Sequence, residues 1–247
     1  MAAPVLILQE IDSTNAEARR RAEAGELGPL WIGAKRQTSG RGRRGRAWDT
    51  DTGNLAQTLL LTIQKTPIEA SQLTFVASLA VYDLVARYVP PSLVSIKWPN
   101  DVLLDGQKVS GILLESGALD ATHLWLAIGI GVNLKTAPTG LERPATSIAE
   151  HLSADRSAPP SFEEGAGALA ETFDHWLTLW QTQGFEAVRQ AWVDRTPGLN
   201  GPCVARLSHE TLEGIADGIE SDGSLRLRLA DGSLRVISAG DVFFGRS

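Results

Sequence analysis

The sequence predicts an α+β fold: a mixed β-sheet with flanking helices over residues 1–197, then a small antiparallel β-barrel over residues 198–247. Strand-like apolar runs such as VLILQEI, LAQTLLLTI and HLWLAIGIGVNL stand among stretches of helical spacing. The two kinds do not alternate as regularly as a doubly wound parallel sheet requires. A chain of 247 residues is long enough to bury a full core beside a smaller one. From about Leu199 the runs shorten to CVARL, TLEGIADGIE, SLRLRLA and SLRVIS, punctuated by Asp-Gly at 222–223 and 231–232, which is the texture of a barrel.

Taken in order, VLILQEI (5–11) reads as a buried strand. DSTNAEARRRAEAGEL follows with helix-start chemistry, Thr14 and Glu17 being spaced as a capping box. LWIGAKR (30–36) is strand-like and feeds a basic loop, after which LAQTLLLTI (55–63) is a strand. Residues 68–89 hold apolar residues at helical spacing and predict one long core helix. VSIKW is a short strand, VLLDGQKVSGILLES a hairpin turning at Asp105-Gly106, and HLWLAIGIGVNL a further strand. Residues 135–160 contain Pro138, Pro144, Pro159 and Pro160 and read as loop. SFEEGAGALAETFDHWLTLW and FEAVRQAWVDR are helical.

Hydrophobic content of 43% with 21% charged residues fits a globular protein, and no apolar run approaches the ~20 residues of a membrane span. MAAPVLILQEID lacks a basic n-region and a small-residue cleavage site, so it reads as a strand and not as a signal peptide. Cys203 is the only cysteine, which excludes an intrachain disulfide or a CxxC pair and makes the cytoplasm the expected compartment. A net charge of −6 argues against a general nucleic-acid binder. Yet KRQTSGRGRRGRAW, from Lys35 to Trp48, packs six basic residues and no acid into positions 35–46. Alone, this segment reads equally as a solvated loop or a nucleic-acid arm.

Four segments carry more than a fold requires. In DSTN (12–15) the hydroxyls of Ser13 and Thr14 either cap a helix or meet a polar ligand at its N-terminus. In the basic loop, Gly40, Gly42 and Gly45 permit close backbone approach, while Arg41, Arg43, Arg44 and Arg46 present forks that match phosphate oxygens. No Lys-Ser/Thr pair follows, so this is not a Walker A loop, and Trp48 either plugs the core or stacks on a heterocycle. In KWPND (97–101) Pro99 ends a strand, so Asn100 and Asp101 either form a turn or meet a nucleotide and a divalent metal. KVSGILLE (108–115) opens with Lys108, a solvated turn residue or an electrostatic catalyst. Gly129 and Gly131 of GIGVN allow close approach or tight packing, with Asn133 as a polar contact. Cys203 and the four histidines show no metal-ligand or triad spacing.

In the order DSTN, Q-x-x-GRGRRGR-x-W, KWPND, K-x-x-GIL-x-E and G-x-G-x-N, the chain closely resembles the bacterial biotin–protein ligases over roughly residues 5–134. The small C-terminal barrel also stands where that family has one. The resemblance implies a sheet of the class II aminoacyl-tRNA synthetase/biotinyl-lipoyl ligase type, a catalytic domain over 1–197 and an SH3-like barrel over 198–247. It implies activation of biotin by ATP to biotinyl-5′-AMP and transfer to one lysine of a biotin carboxyl carrier protein, of acetyl-CoA carboxylase or another biotin-dependent carboxylase. The first step joins two anions, and a loop of arginines cancels their repulsion.

Carried over by matching position, Ser13, Thr14, Asn15 and Gln37 hold the ureido and carboxylate ends of biotin, with Gly40, Arg41, Gly42, Arg43 and Gly111 around it. Arg43 and Lys108 are the implied catalytic groups, contacting both carboxylate and α-phosphate. Arg44 and Arg46 hold the loop closed or meet the triphosphate, and Trp48 lies near adenine. Asn100, Asp101 and Asn133 lie on the ATP side, Asp101 as a ligand of the Mg²⁺ cofactor. A self-repelling arginine loop is expected to be mobile over residues 39–47 until biotin or biotinyl-AMP orders it, shielding the mixed anhydride from water. Because DSTN begins at residue 12, no N-terminal helix-turn-helix domain is expected, hence a ligase without operator binding, monomeric or homodimeric.

Two rivals predict different chemistry. A lipoate–protein ligase shares the fold but usually carries a glycine-rich stretch with a His-Asp pair, and this chain has no such pair. A nucleic-acid-binding module would bind with strong salt dependence and leaves KWPND and Lys108 without a task.

Overall fold

A computed structural model of the chain describes residues 3–48, 50, 53–140 and 144–245. It opens with β1 (Val5–Ile11), which crosses through α1 (Thr14–Glu23) to the parallel strand β2 (Leu30–Gln37). Next come β3 (Leu55–Ile63), the short helix α2 (Pro67–Ser71), and α3 (Leu73–Ala86). The sheet is completed by β4 (Val94–Lys97), β5 (Asp101–Leu104), β6 (Gln107–Ala118) and β7 (Leu124–Val132). Its order is β1-β2-β3-β7-β6-β5-β4, antiparallel beyond the first pair, as a mixed sheet. Two helices, α4 (Phe162–Gln183) and α5 (Phe185–Val193), pack with α3 on one face, while α1 buries Ala18 and Ala22 against Ile32, Leu60 and Ala127 on the other.

Several local expectations change in the fold. β1 is an edge strand, so Val5 and Ile7 stay exposed although VLILQEI reads as buried. Ser13, not Thr14, caps α1: its backbone is extended and its Oγ accepts from the Ala16 N–H, while Glu17 pairs with Arg20 and Arg21. The helix expected over 68–89 is divided at Gln72, and Thr66 with Glu69 forms the capping box that starts α2. Among the described residues Pro67–Ala86 is long and apolar enough to cross a membrane, but it is mostly buried here as a core element. The hairpin at Asp105-Gly106 forms as expected, both residues having positive φ.

The C-terminal part is a five-stranded antiparallel sheet in the order β11-β10-β9-β8-β12. Its strands are β8 (Pro202–Arg206), β9 (Thr211–Ile219), β10 (Leu225–Arg228), β11 (Leu234–Ile237) and β12 (Asp241–Phe244). Four of these match the predicted runs, while β12 is an addition. Gly223 and Gly232 supply the positive φ of the two Asp-Gly turns. Burial pushes the Cys203 thiol up to about 11, which makes it inert core. Trp98 donates its indole N–H to the Gly223 carbonyl at 3.0 Å, joining the β4–β5 turn to this second sheet.

Candidate active site

The N-terminus of α1, the end of β2, and the middle of β3, β6 and β7 converge on one buried polar cluster. Gln37 Oε1 accepts from the Thr14 N–H at 2.8 Å and lies 3.1 Å from the Thr14 hydroxyl. Gln37 Nε2 donates to Thr50 Oγ1 at 3.0 Å. Thr58 Oγ1 stands 2.7 Å from both Thr14 Oγ1 and Asn15 Oδ1. Asn15 Nδ2 in turn donates to Glu115 Oε2 at 2.8 Å. Ser13, Thr14, Asn15 and Thr58 are all buried. Buried groups so fully paired hold one geometry, as a ligand that reads donors and acceptors requires.

The glycines of β7 have a steric task. A Cβ at Gly129 would run into Asn15 Oδ1 and lie 2.9 Å from Asn15 Cγ. One at Gly131 would run into the Trp48 indole, whose Cζ2 would be 2.5 Å away. Gly111 of β6 lies under the same ring and beside Lys108, a Cβ there being 3.1 Å from Trp48 Cζ3 and 3.2 Å from Lys108 Nζ. Gly40 is equally constrained, because a Cβ would meet the Trp48 carbonyl oxygen.

The basic loop folds back on itself as a small hairpin. Trp48 N–H donates to the Gly40 carbonyl at 2.9 Å, Gly42 N–H to Arg46 O at 2.7 Å, and Arg41 bridges to Ala47. Residues Arg43–Gly45 make a single 3₁₀ turn. Arg43 points inward and donates from Nη1 to Asn100 Oδ1 at 2.8 Å, while Asn100 Nδ2 donates to the Ile112 carbonyl at 2.5 Å. Burial lowers the Arg43 pKa below the usual guanidinium value, opposed by the nearby Asp241 and Asp101 charges. Arg44 and Arg46 turn outward to Asp241, and Arg41 is exposed with no ion pair among the described residues.

Lys108 Nζ lies 2.5 Å from Asp101 Oδ1 and 5.8 Å from the Trp48 ring centroid. The main chain of Lys108 is strapped by residues 144–146: its N–H donates to Pro144 O and its carbonyl accepts from Thr146 N–H, each at 3.0 Å. Asn133 Nδ2 donates to the Thr146 carbonyl at 3.0 Å, which leaves Oδ1 as the amide atom able to accept from a ligand amine. A cleft of about 340 Å³ opens beside Arg43 and Asn100, walled by Phe75, Pro99, Ile112 and Asp222. Among the described residues no group of three His, Cys, Asp or Glu side chains gathers as a metal cage.

The fold thus brings Thr14, Asn15 and Gln37 together at one end and Arg43, Trp48, Asn100, Asp101, Lys108 and Gly111 at the other. Ser13 is engaged as the α1 cap, and Asn133 sits behind the Lys108 strap. Sequence reasoning missed Thr58, Glu115, Thr50, Thr146 and Asp241. Of these only Glu115 stood inside a motif, K-x-x-GIL-x-E.

The biotin/lipoate A/B protein ligase family matches residues 8–133, and the biotin protein ligase C terminal domain matches residues 198–245. The chain is 42% identical over 241 residues to a biotin–[acetyl-CoA-carboxylase] ligase of Paracoccus denitrificans, covering 97% of this chain and 100% of that protein. It is 31% identical over 243 residues to the bifunctional ligase/repressor BirA of Bacillus subtilis (strain 168), covering 95% of this chain and 72% of that protein. Among solved structures it is similar to the biotin protein ligase from Aquifex aeolicus in complex with biotin and ATP, with a TM-score of 0.79 and 25% identity, over 99% of each chain.

Proposed function

We infer the function from this premise: the chain belongs to the biotin/lipoate A/B protein ligase family. It is an ATP-dependent, AMP-forming ligase that activates biotin as biotinyl-5′-AMP and transfers biotin to a lysine of a carrier protein. The observation that carries this reading to particular residues is the arginine hairpin, folded so that Arg43 meets Asn100 beside the Lys108–Asp101 pair.

In the first step a biotin carboxylate oxygen bonds to the α-phosphorus and the bond to the β-phosphate oxygen breaks, so pyrophosphate leaves with the negative charge. Thr14, Asn15 and Gln37 orient the ureido ring through the donors and acceptors that already position one another. Arg43 and Lys108 place cations on the carboxylate and α-phosphate as charge builds there. Trp48 supports adenine, and Asn133 accepts from its amine through Oδ1. In the second step the carrier lysine, as its neutral amine, attacks the biotinyl carbonyl and AMP departs. The carrier is the biotin carboxyl carrier protein of acetyl-CoA carboxylase or a related carboxylase, and the reaction is cytoplasmic. Residues 1–197 form the catalytic unit and residues 198–247 the appended barrel.

The donor set fits a Mg²⁺ ion that arrives on the ATP phosphates, because Asp101 is a lone carboxylate and no protein cage exists among the described residues. Asp101 would hold it while Lys108 turns to the substrate, and the ion would supply neutralisation of phosphate charge. The deciding experiment is ATP–pyrophosphate exchange measured with biotin, lipoate and octanoate in turn. Exchange with biotin alone is expected, and exchange with lipoate but not biotin would overturn the assignment.

A further inference from the structure

The arginine loop is tied to the C-terminal sheet. Asp241, the first residue of β12, receives Arg44 Nη1 at 3.0 Å and Arg46 Nη2 at 2.8 Å on the same oxygen, Oδ2. The adjacent Gly240 carbonyl accepts from Arg43 Nη2 at 3.4 Å. Arg44 itself is in left-handed backbone, φ 56 and ψ 29, which a side-chain-bearing residue adopts only when its surroundings compensate. The Asp241 side chain is 20% exposed and those of Arg44 and Arg46 are 45% and 61% exposed, so solvent partly screens both pairs.

We propose that Asp241 is a positioning residue for adenylation: it gathers Arg44 and Arg46, holds the loop closed, and leaves Arg43 as the guanidinium directed at the reacting phosphate. This rests on reading the loop as a lid over biotin and ATP. Three neighbouring arginines repel one another, and a single carboxylate from a different sheet offsets that repulsion at the hairpin's outer side. Without it the closed conformation is less populated, and ATP must bind from the reduced fraction. Once ATP is bound, the Arg43–Asn100 geometry is unchanged, so the chemical step proceeds at its usual rate. The C-terminal sheet thereby contributes to adenylation although none of its side chains reaches the reacting atoms.

The test compares wild type with Asp241→Asn and Asp241→Glu in biotin-dependent ATP–pyrophosphate exchange, with trypsin cleavage within residues 41–46 followed in the presence of biotin and ATP. Asp241→Asn is expected to raise the KM for ATP about five-fold, the scale of two partly exposed ion pairs, with kcat within about two-fold. Loop cleavage should speed up in parallel, and Asp241→Glu should restore both. An unchanged or lower KM with unchanged cleavage in Asp241→Asn overturns the proposal. So does an equal loss of kcat and melting temperature in both variants, which marks a merely structural residue. Absence of biotin-dependent exchange in wild type would instead refute the ligase reading itself.

Discussion

Replacing Gly131 by alanine tests whether this glycine of β7 exists to seat Trp48. The new methyl would stand 2.5 Å from Trp48 Cζ2 and closer still to Cε2 and Nε1, whereas carbon atoms settle at about 3.5–4.0 Å. The ring must therefore retreat by roughly 1 Å. The strand cannot yield instead, because Gly131 is paired with Ala56 of β3 on one side and Gly111 of β6 on the other. Trp48 anchors the base of the arginine hairpin through the Gly40 carbonyl, so its shift carries the loop with it. A misplacement of about 1 Å can cost on the order of 10²-fold in rate. Gly131→Ala should lower kcat/KM for ATP in biotin-dependent exchange by about 10- to 100-fold. The half-buried indole can swing outward, so the melting temperature should fall by no more than about 4 °C. In a Trp48→Ala background the methyl meets no ring, and Gly131→Ala should then change the rate by less than about two-fold. Losses that simply multiply in the double variant, or wild-type kinetics in the single one, would refute the reasoning.

Lys108→Ala removes the cation that pairs with Asp101 and should cut adenylation by at least about 10²-fold with an unchanged circular dichroism spectrum; near-wild-type exchange would make Lys108 a bystander. Gln57 is fully buried on the apolar face of β3, with neither amide atom paired among the described residues. Gln57→Leu should therefore raise unfolding stability by about 1–3 kcal/mol, seen as a higher urea midpoint, and a lower midpoint would contradict this. Asp12 is held at about 2 by hydrogen bonds from Arg20 and the Ser13 N–H. A carboxyl lowered in the folded state stabilises above its unfolded pKa of about 3.9 and loses that contribution as the pH falls toward the folded value. Asp12→Asn should thus unfold slightly more readily than wild type at neutral pH, the pair being half exposed. The two urea midpoints should converge below about pH 4, and a gap constant with pH would exclude the linkage.

What the sequence makes legible is local. The Asp-Gly turns, the β3 run and the β7 run are set by turn chemistry and side-chain period, so their elements form where expected. Burial of β1 was not legible, because nothing in VLILQEI says that it lies at the sheet edge. β12 was missed because DVFF is four residues long and follows no Asp-Gly turn. In the site, Asn100 stood out through the turn that Pro99 imposes, whereas Gln37 and Lys108 gained roles only through the ordered set of motifs and the family it resembles. Thr58 was not, since one hydroxyl inside LAQTLLLTI reads as an ordinary strand residue. Asp241 lies 195 residues beyond Arg46 in the sequence, and no local pattern announces such a pairing.

The confinement of six positive charges to one segment of an acidic chain now has a narrower meaning. Lys35 pairs with Glu163, Arg36 with Glu10, and Arg44 and Arg46 share Asp241, all at 3.0 Å or less. Those acids come from an edge strand, a helix start and the second sheet, which is how a chain of net charge −6 accommodates the stretch. Arg41 and Arg43 are the two guanidiniums of the stretch without an ion pair among the described residues, one exposed and one half-buried. A nucleic-acid arm would leave all six cations open to a long polyanion, because its affinity grows with each phosphate neutralised. A site for one carboxylate and one α-phosphate needs only a few cations at fixed positions. The self-compensation of the other four keeps the loop compact and leaves Arg43 turned inward, to the side where Asn100 and Lys108 stand.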